Sequence, residues 1–247
     1  MHSSLHHLAH RPWPLPSGGW AWRQRWANLL FAHWPVAASA LRPLVPRELE
    51  IEECEGSSWV GLVPLRMEAV THRHLPALPG VSAFAELNLR LYVAHRGRPG
   101  VWFVSLDAAN PLAVWTARRF FHLPYVHAAM QAAEEGDGIR FRSRRRELGA
   151  EVAFAGAYRP CGEPRAATPG TLEHFLVERY CLFARSPGGS LWCTDVHHEP
   201  WRLQPAEAAI ELEQVAAPQG IGLEGPPRLL HFSRAIEVVA WAPRRVA

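Results

Sequence analysis

Lysine is absent from all 247 residues, so each of the 26 Lys+Arg positions is an arginine. A guanidinium stays protonated above about pH 12 and makes a poor amine nucleophile. Any mechanism that runs through a lysine imine is therefore closed. A phosphate-binding loop that depends on its lysine is closed for the same reason. Cysteine is scarce: Cys54, Cys161, Cys181 and Cys193 are scattered and form no C-x-x-C pair. That spacing argues against a disulfide framework or a thiolate zinc site and predicts buried, reduced thiols. No apolar run approaches the roughly 18 residues that a membrane-crossing helix needs. The hydrolase signature G-x-S-x-G does not occur.

What is present is ordinary for a globular chain. Apolar residues make up 48% and charged residues 20%, with a net charge of +3. This mild positive balance demands no nucleic-acid partner. The first segment, residues 1–19, is rich in His and Pro and reads as a flexible leader. His2, His6 and His10 recur at helical spacing, but Pro12, Pro14 and Pro16 follow closely, and no metal is assigned to them. The leader lacks the apolar stretch of a secretory signal, so a cytoplasmic location is expected. Residues 20–247 read as one domain.

Short strand-like runs dominate that domain. Leu49–Cys54, Ser58–Val70, Phe84–Ala94, Val101–Leu106 and Leu229–Trp241 are the clearest. Gly136-Asp137-Gly138 and Ser186–Gly189 mark hairpins between further strands. Helices are expected over Val36–Leu44, from Asn110-Pro111 to about Phe121, from Thr168-Pro169 to about Glu178, and from Pro205. About ten strands with three or four short helices predict an α+β, mainly β fold. Its antiparallel or mixed sheet curls toward a barrel or sandwich, with the helices to one side.

Four segments could carry chemistry. Phe84–Ala94 (FAELNLRLYVA) alternates strictly, placing Glu86, Asn88, Arg90 and Tyr92 on one face. That face is either solvated or the lining of a ligand pocket, and the pattern leaves both open. Ala117–Tyr125 (ARRFFHLPY) runs from a helix end into a strand, which puts Arg118 and Tyr125 near a cavity mouth or a packing corner. Ile139–Arg146 (IRFRSRRR) aligns Arg140, Arg142, Arg144 and Arg146 on one face, as a solvated edge or an anion-binding stripe. No aromatic platform accompanies the stripe, which argues against RNA. In Val196–Trp201 (VHHEPW), adjacent His197 and His198 should face opposite ways. One is then packed and the other exposed, or one imidazole serves the pocket.

Several stretches together resemble the YqjF-like family of bacterial proteins. They are Phe31–Trp34, Trp59–Pro64, Glu86–Arg90, Trp102–Ala108, Leu123–Tyr125, Glu178–Tyr180 and His197–Trp201. That family is similar in fold to acetoacetate decarboxylase, and the resemblance implies a cone-like, double-layered β-barrel with a central pocket. The decarboxylase carries Gly-Arg-Glu, an aromatic residue and then Pro-Lys-Lys before a strand. The similar stretch here is Ala117–Val126. The imine-forming lysine would fall on Tyr125 and its neighbour on Val126, while Glu86 resembles a pocket glutamate of the superfamily. A phenol and an isopropyl group cannot replace an amine whose pKa is lowered by a neighbouring cation.

Three functions fit these features. The first is binding of a small organic acid or ketone without turnover, with no cofactor. The second is a lyase, isomerase or hydratase that uses Tyr125 with Glu86 or Asp107 as acid and base. The third is a homo-oligomeric structural protein with a vestigial pocket. Asn88, Arg90, Tyr92, Arg118, Arg144 and His197 are the expected ligand contacts. The partner is a small molecule rather than nucleic acid or membrane.

Overall fold

A computed structural model describes residues 2–78, 80–147 and 150–247. Its strands are β1 (Trp22–Val36), β2 (Glu50–Ile51), β3 (Ser58–His72), β4 (Phe84–His95), β5 (Arg98–Ala108), β6 (Tyr125–His127) and β7 (Ala129–Glu135). They continue with β8 (Gly138–Glu147), β9 (Ala150–Pro160), β10 (Cys181–Arg185), β11 (Leu191–His197), β12 (Gln204–Glu213), β13 (Leu229–Ala240) and β14 (Arg244–Arg245). Among the described residues, three short α-helices accompany them: α1 (Ala38–Leu41), α2 (Pro111–Thr116) and α3 (Leu172–Val177). The fold is thus mainly β, as the alternating runs and turn residues imply.

The strands join one curled, mixed sheet. Its central order is β11-β10-β5-β4-β3-β1-β13, and pairing of β11 with β13 closes these seven strands into a ring. From β13 the sheet continues through β12, β9 and β8 to β7, forming a second layer. The β10–β5 and β5–β6 pairs are parallel, whereas β3–β4 and β4–β5 are antiparallel. One apolar cluster gathers Leu87, Leu89 and Leu91 of β4 with Phe141 and Phe154 of the outer strands. A second gathers Phe84 and Tyr92, from the opposite face of β4, with residues of α2 and α3. Strand β4 therefore has both faces covered, and Glu86, Asn88, Arg90 and Tyr92 are all buried. Of the two readings of this stripe, the solvated one does not hold.

Three expectations need correction. Pro205 does not open a helix but is the second residue of β12, paired with His231. Exposure along Gln204–Glu211 alternates residue by residue, and pairing with β9 on one side outweighs the helix propensity of Ala and Glu. The helix after Pro169 starts later, at Leu172, with the Thr171 hydroxyl accepting from the His174 amide. The leader, expected to be flexible, lies docked on the body. The Arg11 guanidinium donates to the Val196 carbonyl at 2.7 Å and sits 3.7 Å from the Asp195 carboxylate. His10 stacks on His197, and Trp13 donates its indole N–H to Asp195. A buried guanidinium with a carboxylate partner is enough to tie down such a segment.

The scattered cysteines are free, yet two of them meet. The β10–β11 hairpin brings the buried Cys181 and Cys193 sulfurs to 2.7 Å.

Candidate functional site

The site is set by the connection from β5 to β6. At the end of β5 the Asn110 side chain caps α2 by accepting from the amides of Leu112 and Ala113, and Pro111 supplies the preset first-turn backbone. The helix widens into a π-turn over Ala117–Phe121 and stops at His122, whose left-handed φ of 57° turns the chain back. Leu123 and Pro124 then lead into β6, which pairs in parallel with β5: Tyr125 lies beside Leu106, and Val126 beside Asp107.

Strand alternation makes the next step. On β4 and β5, Glu86 lies opposite Ala108, and Leu87 opposite Asp107. Side chains directly opposite share a face, so Glu86 and Asp107 face opposite sides of the sheet. Tyr125 and Val126 are divided in the same way. Tyr125 falls on the Glu86 side, where its hydroxyl donates to the Glu86 carboxylate at 2.8 Å. Val126 falls on the Asp107 side.

Burial pushes the Glu86 carboxyl up to about 7, against the hydrogen bonds from Tyr125 and Asn88 that hold it down; the nearby Asp107 charge adds to the rise. Burial also pushes the Tyr125 phenol well above its ordinary value, reinforced by the Glu86 charge. Asp107 has a different surrounding. Arg145 of β8 forms an ion pair with it, and the Ser143 hydroxyl donates to its second oxygen at 3.2 Å.

Tyr125 borders two cavities. The first, about 360 Å³, is walled by apolar side chains such as Met67, Val70, Phe84, Ala113, Phe121 and Leu123. The second, about 670 Å³, is lined by Arg118, His122, Arg145 and Arg185 together with Ser105 and Val126. Ser105 is buried, and its hydroxyl has no hydrogen-bond partner among the described residues.

Of the other expected contacts, Asn88 joins Tyr125 on the Glu86 carboxyl, and the rest lie apart from Tyr125. Arg90 and Tyr92 share the face of Glu86 but belong to a packed cluster. The Arg90 guanidinium donates to the Tyr92 hydroxyl at 3.1 Å and to the Leu176 carbonyl at 3.2 Å. His33 bonds the same Tyr92 hydroxyl, and burial, with the Arg90 charge next, holds its imidazole well below its ordinary pKa. Gly61 lets this cluster pack closely, because a methyl group there would stand 3.0 Å from the Tyr92 oxygen, a contact the side chains would have to give way to. His197 is buried under the leader and bonds the Ser4 carbonyl, not a cavity. His198 is buried too, so the expected split into one packed and one exposed imidazole does not occur. Arg144 is exposed, 3.9 Å from Glu151 on the outer layer. The arginine stripe is no sheet edge, because β8 lies between β7 and β9. The side chain of Arg146 lies outside the described residues.

Arg145 and His33 are not among the contacts expected from the sequence. Arg145 sits on the opposite parity from the stripe, with Ile139, Phe141 and Ser143, which was a detectable inward-facing pattern. Gly220–Gly225 (GIGLEG) has G-x-G-x-x-G spacing. That segment follows a 3-10 turn and precedes β13, without the strand-then-helix context that binds a dinucleotide. Among the described residues, no group of three or more His, Cys, Asp or Glu could hold a metal ion. No helix among them is long and apolar enough to cross a membrane.

The ring of strands with its outer layer is an acetoacetate decarboxylase-like fold. The chain is similar over its whole length to acetoacetate decarboxylase from Legionella pneumophila, with a TM-score of 0.65, 12% identity and 96% of that chain covered. It is also similar to the enduracididine biosynthesis enzyme MppR, solved with the condensation product of pyruvate and imidazole 4-carboxaldehyde. There the TM-score is 0.63 with 12% identity, covering 91% of this chain and 88% of that one. Sequence gives the nearer relationship: the chain belongs to the DUF2071 family of uncharacterized conserved proteins, whose pattern matches residues 23–237. It is 44% identical over 231 residues to the uncharacterized protein YqjF of Bacillus subtilis, spanning 94% of this chain and 95% of that protein.

Proposed function

We propose that the domain over residues 20–247 takes a small carbonyl or hydroxy compound to Tyr125 and moves a proton on it through Tyr125 and Glu86, without an imine. The observation that carries this reading is the 2.8 Å bond between a phenol at a cavity wall and a buried carboxyl pushed up to about 7. A carboxyl with that pKa holds or releases a proton near neutrality, where acid–base catalysts work best. Glu86 sits behind the phenol and does not border either cavity. Tyr125 is therefore the group that meets the ligand. As Tyr125 takes a proton from a carbon or hydroxyl, it passes its own to Glu86. The phenolate, which this buried setting disfavours, never has to persist. Lyase, isomerase and hydratase reactions all contain such a step. The two solved proteins of this fold named above are both enzymes by name, which is consistent with turnover on this scaffold.

A second reading, binding of a small acid without turnover, is favoured by the arginine-lined cavity on the other flank of Tyr125. Deuterium exchange separates the two. With ketones in D2O, NMR is expected to show wild-type protein accelerating exchange at the carbon next to the carbonyl. Tyr125→Phe and Glu86→Gln should each lower the rate by about 100-fold or more. Exchange at wild-type rates in both variants, or none above background in the wild type, would remove the proton-transfer reading.

A further inference from the structure

The first cavity is built for a molecule of a particular kind. No Asp, Glu or Arg side chain borders it among the described residues. Its polar side chains are Gln24, Thr71, His72, Ser82, Thr116 and Tyr125, and His72 packs its ring edge-on against Trp22, while three of the others are engaged elsewhere. The Thr71 hydroxyl donates to the Leu75 carbonyl at 2.9 Å, and the Ser82 hydroxyl accepts from the Leu78 amide at 2.8 Å, so both fasten the loop that roofs the cavity. The Gln24 carbonyl oxygen accepts from the Trp26 indole at 2.8 Å. A carboxylate entering here would give up water without meeting a guanidinium, which is costly. An alkyl or aryl group would instead shed water against Met67, Phe84 and Phe121.

The apolar character continues past the mouth. Leu75, Leu78 and Leu112 border the cavity and are 63%, 56% and 54% exposed. Trp115 and Phe120, on the same helix and π-turn, are 58% and 52% exposed and pack edge to face. A cluster of this kind outside a packed core marks a binding surface. Ala113 and Ala117, four residues apart on one face of α2 and its π-turn, keep the interior open because their side chains are small.

We infer that the ligand of this site is neutral and mostly apolar: an alkyl or aryl ketone, aldehyde or alcohol whose single polar group meets Tyr125 while its chain lies in the 360 Å³ cavity. This rests on the reading of Tyr125 as the group that meets the ligand, and it narrows the carbonyl or hydroxy compound to a neutral, largely apolar one.

Titration of the full chain with 2-butanone, 2-hexanone and 2-octanone, followed by calorimetry, tests it. Affinity is expected to rise about threefold to fourfold per added methylene until the cavity is full. 2-Oxooctanoate should bind at least tenfold more weakly than 2-octanone. Ala117→Phe should abolish the gain with chain length, and the wild-type series stands as the test if that variant fails to fold. A flat series, tighter binding of the oxo acid, or no binding by any ketone would overturn the inference. Tyr125→Phe separates it from the reading beneath it. If that variant keeps the slope and full affinity, the neutral-ligand cavity stands and the role of Tyr125 falls. If it keeps the slope and loses a constant factor, both stand.

Discussion

Glu86 and Asp107 are buried carboxyl groups on neighbouring strands of one sheet, and they face opposite ways. Asp107 looks toward β8 and is joined to Arg145 and Ser143. Glu86 looks toward β6 and receives hydrogen bonds from a phenol and an amide. Burial removes water from both. Asp107 is given a full positive charge in exchange; Glu86 is given neutral donors, and burial moves its proton equilibrium to about 7. A difference of one residue in strand parity thus separates an ion pair that holds two layers together from a group able to exchange a proton. The conjugate lesson holds for β6, where Tyr125 faces the exchangeable carboxyl and Val126 the paired one.

The comparison breaks most sharply if Arg145 is removed. Arg145→Met takes the ion pair from Asp107 and is expected to cost about 3–5 kcal/mol of folding stability, measured by urea denaturation at pH 7. Adding Asp107→Asn to that variant should restore a large part of the loss. A cost under about 1 kcal/mol would mean that the pair does not hold the layers.

Next in size is the pH dependence of Glu86. Its carboxyl is raised in the folded state from 4.5 to about 7, so folding favours the protonated form. The stability this contributes is complete below about pH 4.5 and is lost as pH rises to about 7. The shift corresponds to about 3 kcal/mol. Glu86→Gln should therefore be more stable than wild type at pH 8 by up to about that amount, with the advantage vanishing near pH 4.5. Equal stability of the two proteins across this range would show that Glu86 behaves as an ordinary surface carboxyl.

The smallest effect belongs to Tyr125. Tyr125→Phe removes one of the bonds that hold the Glu86 carboxyl down, so its pKa should climb further above about 7. Carbon-detected NMR of labelled glutamate would follow it. The accompanying loss of stability at pH 8 should be about 1–3 kcal/mol, the range for a hydrogen bond to a charged acceptor. An unchanged titration would mean that the phenol and carboxyl act independently.

Much of the fold was legible locally. The strict alternation of Phe84–Ala94 marks β4, and Asn110-Pro111 marks the start of α2, because caps and pleats act within a few residues. Pro205 misled because Ala and Glu favour helices in isolation, while β12 is specified by partners far along the chain. Composition likewise said nothing about the docking of Arg11 on Asp195, which joins positions 184 apart in sequence number (195 − 11). Arg90 and Tyr92 share the parity of Glu86, yet His33 and Gly61 from other strands draw them into a separate cluster. Parity determines a face, and only the neighbouring strands determine what stands on it.

The absence of lysine is a property of the chain alone, and it closes imine chemistry whatever the fold, since no arrangement of arginines supplies a nucleophilic amine. Which group stands where such an amine would act, and with what proton affinity, was decided only by tertiary structure. Tyr125 and Glu86 are 39 residues apart in sequence, and their meeting depends on the parallel pairing of β6 with β5. The pKa of Glu86 depends on desolvation by every element packed around it, a sum over neighbours that no local pattern contains.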